Sequence, residues 1–368
     1  MKVRAKQTKS VESLQKDVSD DLKNASGGLT VRRLEAEEWP IWDSLLNSAL
    51  HVTPFASSIY LRKLAESLGR SLSVYVVFRG GEVLAGIALC GRTYLGAKIV
   101  TAVPATPYSA ILYSRSAFSS TYPAKNTSEH IALSRSLIGA VRAEFRSLDL
   151  SLVPEVDDVR PWIWDGWRAE PTFTYLLHLK GELRVSYGVQ KNARKCERSG
   201  ARASTEWDLE NCWSVLEKTY ARQGVSIGMN RTQFFALAQT LYESNLAWMV
   251  TVYNAENQAV ASRVQLSVPG SDTVYDWVAG TSPVAFAIGA SPWNVLKVIE
   301  ECRNRGYAYW NMCGANFETI AKFKSEFGGD LVHGFSLRSP RPFIYSLVAK
   351  ARLKAGLLKQ QLRQTKRK

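Results

Sequence analysis

The stretch Gly306–Val332, GYAYWNMCGANFETIAKFKSEFGGDLV, predicts a strand, a loop, a helix and a second strand around one lysine, Lys324. Tyr307–Met312 has the short apolar and aromatic run of a buried strand, and Gly314 with Asn316 supplies the turn after it. The helix that follows therefore starts beside a buried strand and carries Lys324 with it.

A repeating apolar pattern predicts this helix. Four side chains recur at three- and four-residue spacing and share one face: Phe317, Ile320, Phe323 and Phe327. We expect that face to be buried, with Lys324 beside it near its edge and Gly328-Gly329 ending the helix. Two interpretations of the lysine are open on pattern alone: its stem covers apolar surface while its ammonium stays in water, or its ammonium enters a functional site.

The rest of the chain repeats one structural unit. The segment 73–90, SVYVVFRGGEVLAGIALC, predicts a hairpin with a Gly80-Gly81 turn, and 248–268, WMVTVYNAENQAVASRVQLSV, predicts a second hairpin. Two helical patterns precede each hairpin: Glu35–Leu50 and Ser57–Leu68 in the first half, Leu209–Gln223 and Thr232–Ser244 in the second. The pattern thus predicts two similar domains that pack side by side.

Length and composition agree with two domains and exclude several functions. The chain has 368 residues, 46% of them hydrophobic, which suffices for two ordinary cores. No apolar run is long enough to span a bilayer, and the polar start lacks the apolar core of a secretory signal, so we expect a cytosolic protein. The five cysteines form no C-x-x-C pair, and the four histidines lack metal-ligand spacing, so no metal site is expected.

The positive charge is concentrated at the carboxyl end. Ten lysines and arginines follow Asp330 with no acid among them, and subtracting ten from the net charge of +14 leaves +4. The body is therefore too mildly basic for a strongly cationic RNA binder. Residues 341–368 have helical apolar spacing, which predicts a basic amphipathic helix; it either lies on an anionic membrane or is a solvated terminal helix.

Several motifs, in order along the chain, resemble the FemAB family of peptidoglycan aminoacyltransferases, which have the GNAT acyltransferase fold. The FKSEFGG motif with the preceding GYAYWNMCG resembles the family's C-terminal signature. Upstream, VQKNARKCERSGARAS resembles its basic helix, YARQGVSIGMNRTQFFALAQTL its next pair of helices, and WDGWRAEPTFTYLLHL its bridge between two halves. The similarity is good from Thr172 to Arg338 and looser from Leu29 to Pro171.

The resemblance implies an α/β (α+β) fold of two tandem GNAT-like domains, each with a mixed, mostly antiparallel sheet flanked by helices. We place a flexible segment at 1–28, the two domains at 29–171 and 172–340, and the basic tail at 341–368. An acceptor groove is expected between or across the domains.

The segment after the predicted strand Thr273–Ala279 bears on the donor. It predicts a helix over Trp293–Arg305 capped by Ser291, but only Gly280 and Gly289 flank it. A glycine-spaced loop that would bring several backbone N–H groups to a pyrophosphate is missing, which disfavours acetyl-CoA. The resemblance implies aminoacyl-tRNA as co-substrate, and the mild charge of the body keeps acyl-CoA as the alternative; no tightly bound cofactor is expected.

Acyl transfer to an amine needs a positive donor near the tetrahedral oxyanion and a proton acceptor. Lys324 is the candidate donor, and the resemblance implies that Phe323 shapes the pocket wall. Asp276 is the candidate acceptor, with a solvent face or a pair with Arg263 as the alternative. The family also has an acid near a tyrosine of its first domain; here VPATPYSAILYS contains Tyr108 without a nearby acid, and Tyr108 is either a substrate-binding candidate or a core residue.

The remaining candidates bind substrate. Arg222 and Gln223 end a helix, where they cap carbonyls or bind the acceptor, and Arg263 lies in the second hairpin. The basic helix presents a cationic stripe that is either a solvated face or a contact for the phosphates of a donor or acceptor: Lys191, Arg194, Lys195, Arg198 and Arg202.

Together these observations predict a cytoplasmic acyltransferase, peripheral at the inner face of the membrane if the tail binds it. The reaction expected is transfer of an aminoacyl or related acyl group to an amine of a cell-envelope precursor. One alternative is acyl-CoA-dependent modification of a sugar or lipid precursor in exopolysaccharide assembly. Another is a non-catalytic, membrane-associated scaffold.

Overall fold

A computed structural model describes residues 28–340, and both halves of that range contain helices and strands in a repeated order. The first half comprises β1 (Leu29–Arg33), α1 (Trp39–Ser48), α2 (Ser58–Leu68), β2 (Ser71–Arg79), β3 (Glu82–Tyr94), β4 (Ala97–Val100), β5 (Ala110–Tyr113), α3 (Pro123–Glu144), β6 (Ser147–Ser151), α4 (Arg160–Trp164) and β7 (Arg168–His178). Short 3-10 helices lie at Ala36–Glu38, Pro54–Ala56 and Arg115–Phe118.

The second half comprises α5 (Tyr187–Arg198), β8 (Arg202–Ser204), α6 (Leu209–Gln223), α7 (Arg231–Glu243), β9 (Ala247–Tyr253), β10 (Ala259–Leu266), β11 (Thr273–Thr281), α8 (Pro283–Ile288), α9 (Ala290–Asn304), β12 (Tyr309–Asn311), α10 (Glu318–Ser325) and β13 (Asp330–Arg338).

The strands pair in one continuous order that shows the duplication. That order is β1-β2-β3-β4-β6-β13-β7-β12-β11-β10-β9-β8, with β5 paired to β3. The two halves have the same order of elements: two helices precede each hairpin, and a long helix, α3 or α9, follows it. In each half this long helix lies between two strands that pair in parallel, β4 with β6 and β11 with β12, and these are the only parallel pairs in residues 28–340. All other neighbours are antiparallel. The predicted α/β fold is confirmed: two similar halves of mostly antiparallel strands, flanked by helices, join in one sheet.

The two halves exchange their last strands. Strand β7 follows the first half but pairs with β12 of the second, while β13, at the end of the second half, pairs with β6 of the first. The two exchanged strands pair with each other through the first nine residues of β7, so the sheet is continuous across the molecule. Strand β7 runs across the predicted boundary at 171/172, and the division into domains stays a prediction.

Side chains from the second half also anchor the loops of the first. The Trp277 indole Nε1 donates to the Ala105 carbonyl at 2.7 Å, and the Tyr275 hydroxyl donates to the Val52 carbonyl at 3.3 Å. Both aromatic side chains belong to the large core that includes α2, α3 and α7. Burial of this apolar surface, together with the shared strands, holds the halves in a fixed arrangement.

The predicted hairpins and most helix boundaries are confirmed. Gly80 and Gly81 have φ of 55° and 90°, the left-handed values that a tight two-residue hairpin turn requires. Helix α6 spans the predicted Leu209–Gln223, with the Asp208 carboxylate accepting from the Asn211 N–H at its start and Gly224 at its end. The predicted basic tail and the segment 1–27 lie outside the described residues. No helix within 28–340 is long and apolar enough to cross a membrane.

Candidate functional site

A cavity opens where the parallel strands β11 and β12 separate. They pair only over Thr273–Tyr275 and Tyr309–Asn311; β11 then continues to Thr281 while the chain beyond β12 turns away. Crevices at the carboxyl ends of parallel strands are common ligand sites in α/β folds. The cavity measures about 510 Å³, and the described residues that line it come from α5, α6, β10, β11, α8, α9 and α10.

The cavity belongs to the second half alone. Its lining residues fall between Asn192 and Glu326, so this cavity is not the groove expected between or across the domains, and that groove stays a prediction. The reason is the duplicated topology, since the opening lies within one sheet rather than between two. The equivalent opening of the first half, between β4 and β6, holds a cavity of only about 70 Å³ that is lined mainly by apolar side chains.

Lys324 lies at this cavity, and its position differs from the predicted one. It is the one buried residue of α10, at 7% exposure, whereas Phe317 caps the helix at 72% exposure. Phe327 follows the helix and is fully buried, while Ile320 and Phe323 are half-buried and line the cavity. The expectation of a buried phenylalanine face with the lysine at its edge is therefore wrong, because three carbonyl groups receive the ammonium inside.

Those carbonyls belong to the loop after β12. Lys324 Nζ donates to the carbonyl oxygens of Met312 at 2.6 Å, Cys313 at 2.6 Å and Gly314 at 2.8 Å. Three acceptors require three N–H hydrogens, so the group is an ammonium rather than a neutral amine. Cys313 has a φ of 49°, an uncommon value for a residue with a side chain, and the ammonium holds the loop in that conformation.

Burial sets the protonation behaviour of Lys324. Loss of solvation lowers the pKa of the Lys324 ammonium, the Asp276 carboxylate and the Cys313 thiol oppose this shift, and the Arg263 guanidinium adds to it. The ammonium therefore loses its proton at a lower pH than an exposed lysine does.

A buried ion pair faces the same cavity. Arg263 on β10 and Asp276 on β11 are each 6% exposed, and Arg263 Nη1 donates to Asp276 Oδ2. Gln265 Nε2 donates to Asp276 Oδ1 at 2.9 Å, and the Trp310 indole donates to Gln265 Oε1 at 2.8 Å. The pairing of Asp276 with Arg263, one of the two predicted alternatives, is what the structure shows.

The carboxyl end of α6 forms one wall. Arg222 and Gln223 are exposed and line the cavity, as does the buried Thr219. Arg222 Nη1 donates to the Thr281 carbonyl at 2.9 Å, and its guanidinium lies 4.8 Å from the centre of the Phe286 ring. Arg222 therefore ties α6 to the end of β11 and to α8 instead of capping its own helix.

Helix α9 begins at this cavity, one residue before the predicted cap. Ala290 is its first residue and Gly289, with a φ of 79°, its cap, so Ser291 lies inside the helix and its predicted capping role is wrong. Packing explains why the cap residue is a glycine: a Cβ on Gly289 would lie 2.4 Å from the Asn192 carbonyl oxygen of α5. Gly280 is likewise used for packing, since a Cβ there would lie 2.8 Å from the Leu216 nitrogen of α6.

Substituting Gly289 tests this close approach. Gly289→Ala combines a left-handed backbone with a collision against a main-chain oxygen, so we expect a loss of unfolding free energy well above the roughly 1–2 kcal/mol of the backbone strain alone. Gly69→Ala is the matched control, because Gly69 has a φ of 59° and nothing within 4 Å of its Cβ position. Urea denaturation measures both, and equal losses would contradict the packing role.

Tyr108 and the residues of the predicted cationic stripe do not line the cavity. Tyr108 is buried between the halves, where its hydroxyl donates to Asn311 Oδ1 at 3.2 Å; burial raises the pKa of Tyr108 well above its usual value. Lys191, Arg194 and Lys195 are exposed on α5, whose neighbour Asn192 does line the cavity. Arg202 lies beyond α5, on β8, where it donates to Asn257. The cationic stripe is thus shorter than predicted and stands beside the cavity.

Sequence reasoning missed the polar residues that join these parts. Asn311 is 1% exposed, and its Oδ1 accepts from Tyr108, from Thr174 Oγ1 at 2.9 Å and from the Cys313 N–H at 2.9 Å. A polar residue at the end of a predicted buried strand was the available signal. Within 28–340 no cluster of three or more histidine, cysteine or acidic side chains could hold a metal ion.

Comparisons with known proteins give a likeness of fold. No protein-family model and no curated protein sequence matches the chain. Among solved structures, FemX is similar with a TM-score of 0.61 and 10% identity, over 83% of this chain and 96% of that one.

Two other solved structures are similar over most of their length. L-PGS from Bacillus licheniformis has a TM-score of 0.55 and 13% identity, over 87% of this chain and 96% of that one. The C-terminal domain of a putative lysylphosphatidylglycerol synthetase from Agrobacterium fabrum has a TM-score of 0.54 and 12% identity, over 88% and 97%. At these identities the likeness is one of fold, and the fold implied by the FemAB resemblance is confirmed.

Proposed function

We propose that the protein is an acyltransferase that moves an aminoacyl or related acyl group from an activated ester to an amine of a cell-envelope precursor. The observation that carries the proposal is the cavity of about 510 Å³, which three buried charged side chains line: Arg263, Asp276 and Lys324. Charged groups are seldom buried without a structural or functional reason, and here they surround an opening in a FemX-like fold.

The chemistry requires stabilisation of negative charge. The amine nitrogen attacks the ester carbonyl, a C–N bond forms, and the carbonyl electron pair moves onto oxygen. Collapse of this intermediate breaks the ester C–O bond, and the proton lost by the amine ends on the departing alcohol. Cations held partly out of solvent stabilise the oxyanion more than they would in bulk water.

Lys324 supports this reaction through its charge and its loop contacts. Its three hydrogens already hold the loop carbonyls, so direct donation to the oxyanion, the predicted role, would require one contact to be released. We therefore assign it a fixed positive charge and the positioning of residues 312–314. Asp276, expected as the proton acceptor, is a weak candidate for that step because both of its carboxylate oxygens already accept hydrogen bonds, from Arg263 Nη1 and from Gln265 Nε2.

The surroundings of the cavity favour aminoacyl-tRNA as the donor over acyl-CoA. The amino end of α9 is where a pyrophosphate would bind, but the Asn192 carbonyl of α5 approaches Gly289 there. The neighbouring face of α5 exposes Lys191, Arg194 and Lys195, which form no salt bridge within residues 28–340. Such a stripe suits the phosphates of a nucleic-acid strand.

Donor binding tests the proposed function. Aminoacyl-tRNA should be retained on filters by the native protein, with weaker retention at higher salt and for a Lys191→Ala, Arg194→Ala, Lys195→Ala triple variant, because fewer phosphates are then neutralised. CoA esters should give no heat of binding in calorimetry. Tight binding of a CoA ester without tRNA retention would favour the exopolysaccharide alternative, and binding of neither donor would favour a scaffold.

The lowered pKa of Lys324 predicts an alkaline loss of activity. Deprotonation removes the positive charge and one loop contact, so turnover should fall at a pH below the value of about 10.4 at which an exposed lysine titrates. Lys324→Arg should remove this fall, since a guanidinium does not titrate in the range. A pH–rate profile measures both, and the same alkaline fall in both proteins would contradict the assignment.

A further inference from the structure

Arg263 has hydrogen-bond donors that the protein leaves unused. Nη1 donates to Asp276, and residues 28–340 provide no hydrogen-bond partner for Nε or Nη2. Neither atom is among the fully enclosed polar atoms that lack a partner, and the side chain lines the cavity. A guanidinium that is 6% exposed would ordinarily have its donors satisfied, so the free ones indicate a ligand acceptor in the cavity.

A chain of buried hydrogen bonds fixes the orientation of the Arg263 guanidinium. Trp310 donates to Gln265, Gln265 donates to Asp276, and Asp276 accepts from Arg263. These side chains are between 0% and 6% exposed. A donor held in this way needs no reorganisation when charge develops nearby, which is the condition for strong transition-state stabilisation.

The other buried cation at the cavity, Lys324, has no free hydrogen-bond donor. Lys324 gives all three of its hydrogens to loop carbonyls, so the two cations at the cavity differ in what they can offer a ligand. Lys324 provides charge, whereas Arg263 provides charge and unpaired N–H groups.

We propose that Arg263 is a catalytic residue that donates from Nε and Nη2 to the acyl oxygen, first as the ester carbonyl and then as the oxyanion. Asp276, Gln265 and Trp310 act through it as positioning residues. The assignment rests on the proposed acyl transfer. It alters no step of the chemistry: the C–N bond forms, the ester C–O bond breaks, and the guanidinium donates hydrogen bonds without transferring a proton.

Arg263→Lys tests the proposal without leaving Asp276 unpaired. Lysine keeps the positive charge but loses the planar fork, so the protein should fold and bind the donor while turnover falls about 100–1000-fold. The loss should appear in kcat rather than in KM, because the bond strengthens in the transition state. Turnover within threefold of the native rate, with the fold intact, would overturn the catalytic role.

A chemical rescue separates catalysis from structure. Arg263→Ala with Asp276→Ala removes both charges of the pair, and added guanidinium at millimolar concentration should restore part of the turnover; methylammonium serves as the control, because it carries charge without the fork. Restoration by both cations, or by neither, would overturn the assignment to the guanidinium fork. Absence of transfer by the native protein with either donor class would instead overturn the proposed function and the assignment together, so the two failures are distinguishable.

Discussion

Lys324→Ala should lower turnover about 100-fold, equivalent to about 2.7 kcal/mol of lost transition-state stabilisation, because a fixed charge at the cavity is lost and the loop that Lys324 positions can shift. The substitution removes a buried positive charge at the cavity and frees the carbonyls of Met312, Cys313 and Gly314 from their common donor. We also expect a loss of about 1–3 kcal/mol in unfolding free energy, since those carbonyls lose their hydrogen-bond donor. Steady-state kinetics, with urea denaturation to confirm a folded variant, measures both effects.

Lys322→Ala is the matched control for that variant. Lys322 lies on the same helix, but its side chain is 75% exposed and pairs with Glu318 at 2.6 Å. An exposed ion pair of this kind contributes less than about 1 kcal/mol, and turnover should stay at the native level. Equal turnover of the Lys324→Ala and Lys322→Ala variants would show that Lys324 contributes no more to the reaction than the exposed Lys322 does.

Asp276→Ala should lower the free energy of unfolding by about 3–5 kcal/mol. The substitution leaves the Arg263 guanidinium buried without its counter-charge and also deprives Gln265 Nε2 of its acceptor. Chemical denaturation of the native and variant proteins measures the loss, and a fall of less than about 1 kcal/mol would show that water reaches the pair freely.

Glu318→Ala provides the comparison for an exposed pair. Glu318 Oε1 accepts a hydrogen bond from Lys322 Nζ at 2.6 Å, but both side chains are more than 70% exposed. Screening by solvent limits the contribution, so the loss should stay below about 1 kcal/mol. A larger loss of unfolding free energy for Asp276→Ala than for Glu318→Ala would show that burial makes the Arg263–Asp276 pair the more important of the two.

The duplicated fold could be predicted because its signals are local. The Gly80-Gly81 turn, the two strands that flank it and the helix spanning Leu209–Gln223 each follow from residues near in sequence, and the structure places them as expected. The exchange of β7 and β13 between the halves could not be predicted in this way. Strand pairing between residues more than 150 positions apart leaves no local pattern.

The sequence predicted which residues belong to the site better than it predicted how they are arranged. Six of the predicted residues line the cavity: Arg222, Gln223, Arg263, Asp276, Phe323 and Lys324. Helical spacing placed Lys324 at the edge of an apolar face, but the loop carbonyls that draw it inside come from another element. The role of Gly289 was hidden for the same reason, since only the packing of α5 explains why a side chain is excluded there.

A structure with a stable amide analogue of aminoacyl-adenosine tests the central claim most directly. If the cavity between β11 and β12 is the acyl-transfer site, the analogue's acyl oxygen should lie within about 3.1 Å of an Arg263 nitrogen, with Phe323 beside the acyl group. Binding of the analogue elsewhere on the protein, with the cavity left empty at saturating concentration, would contradict the account.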